Sequence, residues 1–159
     1  MASELLFDIS SIDLDAVAAT PEEIGRTNQQ CGHMRQLDHV IWIAEDMTRA
    51  VGVKHVRDDE FWVPGHIPGR PLYPGVLMIE AAAQLSSFLY LQRTSRHEPR
   101  FLGFTHCDRT VFRGQVVPGD KLLLLVREIR FGVRRFSCHG QGVVDGTLVF
   151  ETEVTGMKM

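Results

Sequence analysis

The sequence predicts an α+β domain in which an antiparallel β-sheet wraps one long, buried helix. Three observations lead there. Residues 71–92 are apolar almost all round, with Glu80 the one charged side chain between Arg70 and Arg93. Strand-like runs stand on both sides of that segment, and compact turn signals separate them at Val117-Pro-Gly-Asp120, Phe131-Gly132 and Asp145-Gly146. A helix without a polar face has to be covered on most sides, and about six antiparallel strands supply the layer that covers it. At 159 residues the chain is long enough for one domain with a real core.

The elements follow in order. Residues 1–35 differ from the rest and read as an N-terminal extension, either packed on the main domain or partly mobile. Within it Asp13–Ala19 and Thr20-Pro21-Glu22-Glu23-Ile24 suggest short helical pieces. The second has a good start, with threonine as cap, proline at the first helical position and acids in the first turn. Residues 36–159 form the main domain. Leu37–Ala44 and Ala50–Arg57 are β-prone, joined through a turn at residues 45–49. Residues 58–74 are a stiff loop, with Pro64, Gly65, Pro68, Gly69, Pro71 and Pro74. Pro74 marks the start of a helix running to about Leu91. A polar connection over Arg93–Arg100 leads to strands at Phe101–Cys107, Thr110–Gln115, Lys121–Phe131, Arg134–Val144 and Thr147–Thr155. Asp145-Gly146 between the last two is a strong hairpin signal.

Composition removes several function classes. Net charge is -3, so nothing overall points to nucleic acid. The charge is uneven, however: residues 1–60 carry twelve acids against five bases, and residues 93–135 carry ten bases against four acids. The second stretch is either an ordinary solvated surface or a basic face for an acidic partner. Three cysteines, Cys31, Cys107 and Cys138, are widely spaced and never form a C-x-x-C pair. They fit reduced thiols in the cytoplasm rather than a disulfide framework or zinc ribbon. The acidic N-terminus does not read as a signal peptide. The 71–92 segment, with its prolines, Glu80, Gln84 and two serines, does not read as membrane-spanning. The remaining histidines show neither helical pairing nor a carboxylate cluster, so no metal site is expected.

Chemistry concentrates around position 66. His66 lies in Gly65-His-Ile-Pro-Gly69, a rigid turn, and imidazole is the side chain whose unperturbed pKa suits a base near neutrality. It either works as that base or caps its loop. Glu80 is costly to bury without a partner or a task. It is either a desolvated acid, or it is neutralised by an arginine or a water-filled notch. Gln84 is one helical turn beyond it and Ser87 a further turn on, both placed to bind the carboxyl or a water. Gly75 sits in the first helical turn, where an N–H without a helical acceptor would polarise a carbonyl oxygen. No G-x-S-x-G motif is present, and Gly140-x-Gly142 lies between strand-like residues.

These residues carry a resemblance. Phe61-Trp-Val-Pro-Gly-His66-Ile-Pro-Gly-Arg-Pro-Leu-Tyr-Pro-Gly75-Val-Leu-Met-Ile-Glu80-Ala-Ala-Ala-Gln84 strongly resembles the signature of the bacterial beta-hydroxyacyl-acyl-carrier-protein dehydratases. Phe104–Leu122 looks like the same family's later motif, and the similarity spans about residues 36–156. Glutamate rather than aspartate at position 80 is similar to the elongation-type enzymes. The resemblance implies a hot-dog fold and a homodimer with shared active sites, in many members a trimer of dimers. It implies His66 as base, Glu80 as acid and Gly75 as oxyanion donor. Gln84, Tyr73 and Ile67 would bind substrate, and no cofactor would be needed. The substrate would be a 3-hydroxyacyl chain on acyl carrier protein, an acidic partner suited to the basic stretch around Arg93–Arg113. Three residues depart from the family pattern. Ile67 replaces phenylalanine, Tyr73 stands where methionine is common, and His39 stands where arginine is frequent. The first two are expected near the pocket mouth. A hot-dog hydratase or thioesterase, and a non-catalytic acyl-thioester-binding subunit, are the alternatives.

Overall fold

The computed structural model describes residues 4–94 and 101–159. From Ser95 onward, the expected polar connection lies outside those residues. Thr20 caps the first helix, α1 (Pro21–Thr27), with the anticipated reciprocal box: Glu23 N–H donates to Thr20 Oγ1 at 3.3 Å, and Thr20 N–H to Glu23 Oε2 at 2.8 Å. The other expected helical piece does not form. Residues 13–19 turn and then run extended, with Ala18 and Ala19 N–H both donating to Val40 O. Seven residues with no cap are too short to nucleate a helix alone, and pairing with a strand edge gives their N–H groups better partners.

The sheet comprises β1 (His39–Ile43), β2 (Arg49–His55), β3 (Leu102–Phe112), β4 (Lys121–Phe131), β5 (Arg135–Val144) and β6 (Thr147–Lys158), with α2 (Gly75–Arg93) between β2 and β3. All pairs are antiparallel, in the order β1-β2-β4-β5-β6-β3. The hairpin at Asp145-Gly146 has positive φ at both central residues, 47° and 75°, as a type I′ turn requires. The two strands expected over residues 101–115 are one. Their gap is an irregularity between Asp108 and Val111, where Arg109 takes φ 48° and the ladder to β6 resumes beyond it.

Helix α2 lies along the inner face against β2, β4, β5 and β6. Small residues set the approach: a Cβ on Gly140 would stand 3.1 Å from that of Ala82, and one on Gly52 3.2 Å from Leu85 Cδ2. The outer face is also covered. Along β4, Leu122, Leu124 and Val126 belong to the helix-side core, whereas Leu123 and Leu125 join an outer cluster with Ile41, Val51, Val53, Val143 and Leu148. Alternate residues of a strand point to opposite faces, so this unbroken apolar run records two covered faces. The outer cover is the N-terminal arm, whose Leu5, Leu6, Phe7, Ile9 and Ile12 pack there. Gln141 clamps it from β5: its Oε1 accepts from Leu6 N–H at 2.9 Å, and its Nε2 donates to Glu4 O at 3.2 Å.

Candidate active site

The loop carrying His66 is anchored by charge buried beneath it. Lys54 Nζ on β2 lies 3.0 Å from Glu60 Oε2, and both side chains are almost fully buried. Glu60 also accepts from Arg57 N–H at 2.9 Å and from Trp62 Nε1–H at 3.2 Å. Burial alone would raise this carboxyl's pKa; those donors and the Lys54 charge outweigh it and hold the pKa below its ordinary value. Trp62 O then accepts His66 N–H at 2.7 Å. Ile67 follows with φ 59°, a region that a β-branched residue rarely adopts. His66 Nδ1 is 2.7 Å from Leu72 O. A carbonyl can only accept, so Nδ1 carries a proton, and in the neutral ring the lone pair is on Nε2.

Glu80 is held from its own helix. Gln84 Nε2 donates to Glu80 Oε1 at 2.7 Å and to Met34 O at 2.6 Å, while Gln84 Oε1 accepts Gln36 N–H at 2.9 Å. A backbone N–H can only donate, so the Gln84 amide has one possible orientation. Glu80 lines a cavity of about 210 Å³ with Ser87, Phe104, Phe136 and Thr155 among the other walls. Gly75 opens α2, so its N–H has no carbonyl four residues back. A Cβ there would meet the Phe112 ring at 2.7 Å, so the ring lies directly over the glycine.

The structure therefore brings Glu80 and Ser87 to one cavity, with Gln84 holding Glu80 from behind, and neither Gln84 nor His66 is among the residues lining it. Ile67 is 46% exposed beside His66. Tyr73 departs from its expected place at a pocket mouth: it is 1% exposed, because its ring packs against Trp62 and its hydroxyl donates to Gln36 Oε1 at 2.8 Å. Gln36 and the Lys54–Glu60 pair are the parts that sequence reasoning missed. Their partners stand on other elements, and no motif marks them. In the basic stretch, Arg93 pairs with Glu128, Arg109 with Glu153 at 3.0 Å, and Arg113 with Glu151. Arg130, Arg134 and Arg135, at the β4–β5 hairpin, are exposed and have no carboxylate partner among the described residues.

The FabA-like domain family matches residues 30–153. The chain is 37% identical over 123 residues to the 3-hydroxyacyl-[acyl-carrier-protein] dehydratase FabZ of Brucella abortus (strain S19), covering 76% of each protein. It is 40% identical over 118 residues to the FabZ of Anoxybacillus flavithermus, covering 74% of this chain and 82% of that one. Among solved structures, the dehydratase heterocomplex ApeI:P from Xenorhabdus doucetiae superposes with a TM-score of 0.73 at 16% identity, over 86% of this chain and 90% of that one. Cj0977, a sigma28-regulated virulence protein from Campylobacter jejuni, does so with a TM-score of 0.68 at 13% identity, over 93% and 96%. A sheet curled around one long helix is the hot-dog fold of these neighbours, and the chain, matched over most of its length, belongs to the FabA-like domain family.

Proposed function

We propose that the protein dehydrates 3-hydroxyacyl-acyl carrier protein to the trans-2-enoyl thioester in fatty acid biosynthesis. The observation that carries this reading is the His66 ring, whose Nδ1 is committed to Leu72 O and whose Nε2 is thereby a ready base. His66 Nε2 takes a proton from C2 of the thioester. The developing oxyanion is held by Gly75 N–H at the positive end of α2. Glu80, directly or through a water held by Gln84, gives a proton to the C3 hydroxyl, which leaves as water. The proton on His66 returns to Glu80 through solvent. Ile67, beside the base, contacts the acyl chain.

The working unit is a homodimer, or a trimer of dimers, joined along β3 into a continuous sheet, with His66 from one protomer meeting Glu80 of the other. Phe104, Val111 and Phe112 are exposed on that edge strand, and His66 stands apart from the Glu80 cavity within one protomer. The acidic carrier docks at the β4–β5 hairpin through Arg130, Arg134 and Arg135, beside Phe136 of the cavity wall. Arg93, Arg109 and Arg113 spend their charge on neighbouring glutamates. The free thiols of Cys31, Cys107 and Cys138 suit a cytoplasmic setting, and no helix among the described residues is long and apolar enough to cross a membrane.

The test is turnover of a 3-hydroxyacyl-acyl carrier protein, followed by absorbance of the conjugated product. His66→Ala and Glu80→Gln should each lower kcat by at least ~100-fold while leaving the fold intact. Co-expressed, the two variants should regain about a quarter of wild-type activity, because half of the dimers are mixed and each carries one complete site. Release of free acid and thiol by the wild type would replace dehydration with thioester hydrolysis.

A further inference from the structure

The Gln84 amide is gripped at both ends by one short segment. Met34 O takes its N–H and Gln36 N–H gives to its carbonyl, so residues 34–36 decide where Gln84, and through it Glu80, points. That segment is not part of a helix or strand beyond the single 3₁₀ turn Gly32–Met34. What fixes it is the Gln36 side chain, 1% exposed for the whole residue. Gln36 Nε2 donates to His33 O at 2.7 Å, closing the turn on itself, and Gln36 Oε1 accepts the Tyr73 hydroxyl at 2.8 Å. The same hydroxyl lies 3.3 Å from Leu77 O, one turn into α2.

Tyr73 is itself held firmly. Its N–H donates to Val116 O at 2.8 Å, and its ring meets Trp62 edge-on at 5.6 Å between centroids. Burial, with carboxylates at Glu60, Asp38 and Glu80 around it, raises the phenol's pKa, so it remains a donor at any working pH. Each link in the chain thus has a fixed polarity: phenol to Gln36, Gln36 N–H to Gln84, Gln84 to Glu80. Tyr73 also follows Leu72, whose carbonyl sets the His66 tautomer.

Resting on the dehydratase reading, we propose that Tyr73 and Gln36 are positioning residues of the reaction: they lock the 34–36 segment that aims Glu80 at the leaving hydroxyl. Removing the phenol oxygen leaves Gln36 Oε1 buried with no donor and frees the segment to shift. Nothing is taken from the acyl-chain surface, so substrate binding is spared.

Tyr73→Phe tests this on the intact protein with a 3-hydroxyacyl-acyl carrier protein substrate. A fall in kcat of about tenfold with KM within about twofold is expected, the pattern of an interaction made in the transition state. Gln36→Met should reproduce the loss, and the double variant should be no slower than the slower single variant, because both act through one chain of contacts. Wild-type kcat in Tyr73→Phe would overturn the proposal, even if its melting temperature falls. Losses that multiply in the double variant would overturn it too. An inactive wild type would instead sink the dehydratase reading on which it rests.

Discussion

The two edges of the sheet are finished differently. At β1 the chain closes its own edge: Ala18 and Ala19 donate to Val40 O, Val40 N–H returns a bond to Ala19 O, and the arm continues over the outer face. At β3 no such cover appears among the described residues, and Phe104, Val111 and Phe112 are 40–51% exposed along the strand. A long apolar edge strand is an association hazard unless it has a purpose. The chain thus has a device for sealing an edge and uses it on one side. In the dimer proposed above, the open edge is the one left for a second copy, while the arm seals and covers the other side.

Breaking the open edge should have the larger effect. Val111→Lys places a charge where the partner strand would lie. Sedimentation should then report a monomer, and turnover should fall by at least ~100-fold, as when a catalytic group is lost, since each site would lack its second protomer. A monomer with full activity would refute shared sites. Breaking the closed side should cost stability instead. Leu6→Ala with Phe7→Ala strips two apolar side chains from the outer cluster, each contributing roughly 1–2 kcal/mol. The urea midpoint should drop while kcat of the folded protein holds. A kcat loss matching the stability loss would tie the arm to the site.

Much of this was legible in the sequence because it rests on local rules. The Thr20 cap, Pro74 opening α2 and the Asp145-Gly146 hairpin each depend on a few adjacent residues. The Gly65–Gly69 turn likewise placed His66, and Glu80 and Gln84 meet at 2.7 Å because i and i+4 share a helical face. What remained hidden depends on distance along the chain. Residues 13–19 look helical until Val40 offers them an edge. Asp108–Arg109 breaks the strand pattern because a bulge leaves residues out of the alternation. Tyr73 seemed a mouth residue because nothing near it in sequence shows that Gln36, 37 positions away, waits for its hydroxyl.

The smallest effect expected lies on the closed side and depends on pH. His39 begins β1 and stacks on His55 of β2, with ring centroids 5.8 Å apart. Nearby, Lys121 reaches the arm through Leu14 O at 2.9 Å. Partial burial, then the His55 and Lys121 charges, lower the His39 pKa below its ordinary 6.5, with Asp38 opposing them. A histidine with a lowered pKa binds its proton more readily when the chain is unfolded. Its contribution to stability is therefore present above pH 6.5 and is lost as the pH falls from there through the folded-state value. Urea unfolding of the wild type and of His39→Gln at pH 7.5 and at several lower values would isolate that term. The wild type should lose more stability on acidification than the variant, and the difference should develop below neutrality. Parallel losses would assign the acid sensitivity to other groups, with Glu60 first among them because its lowered carboxyl pKa acts in a more acidic range.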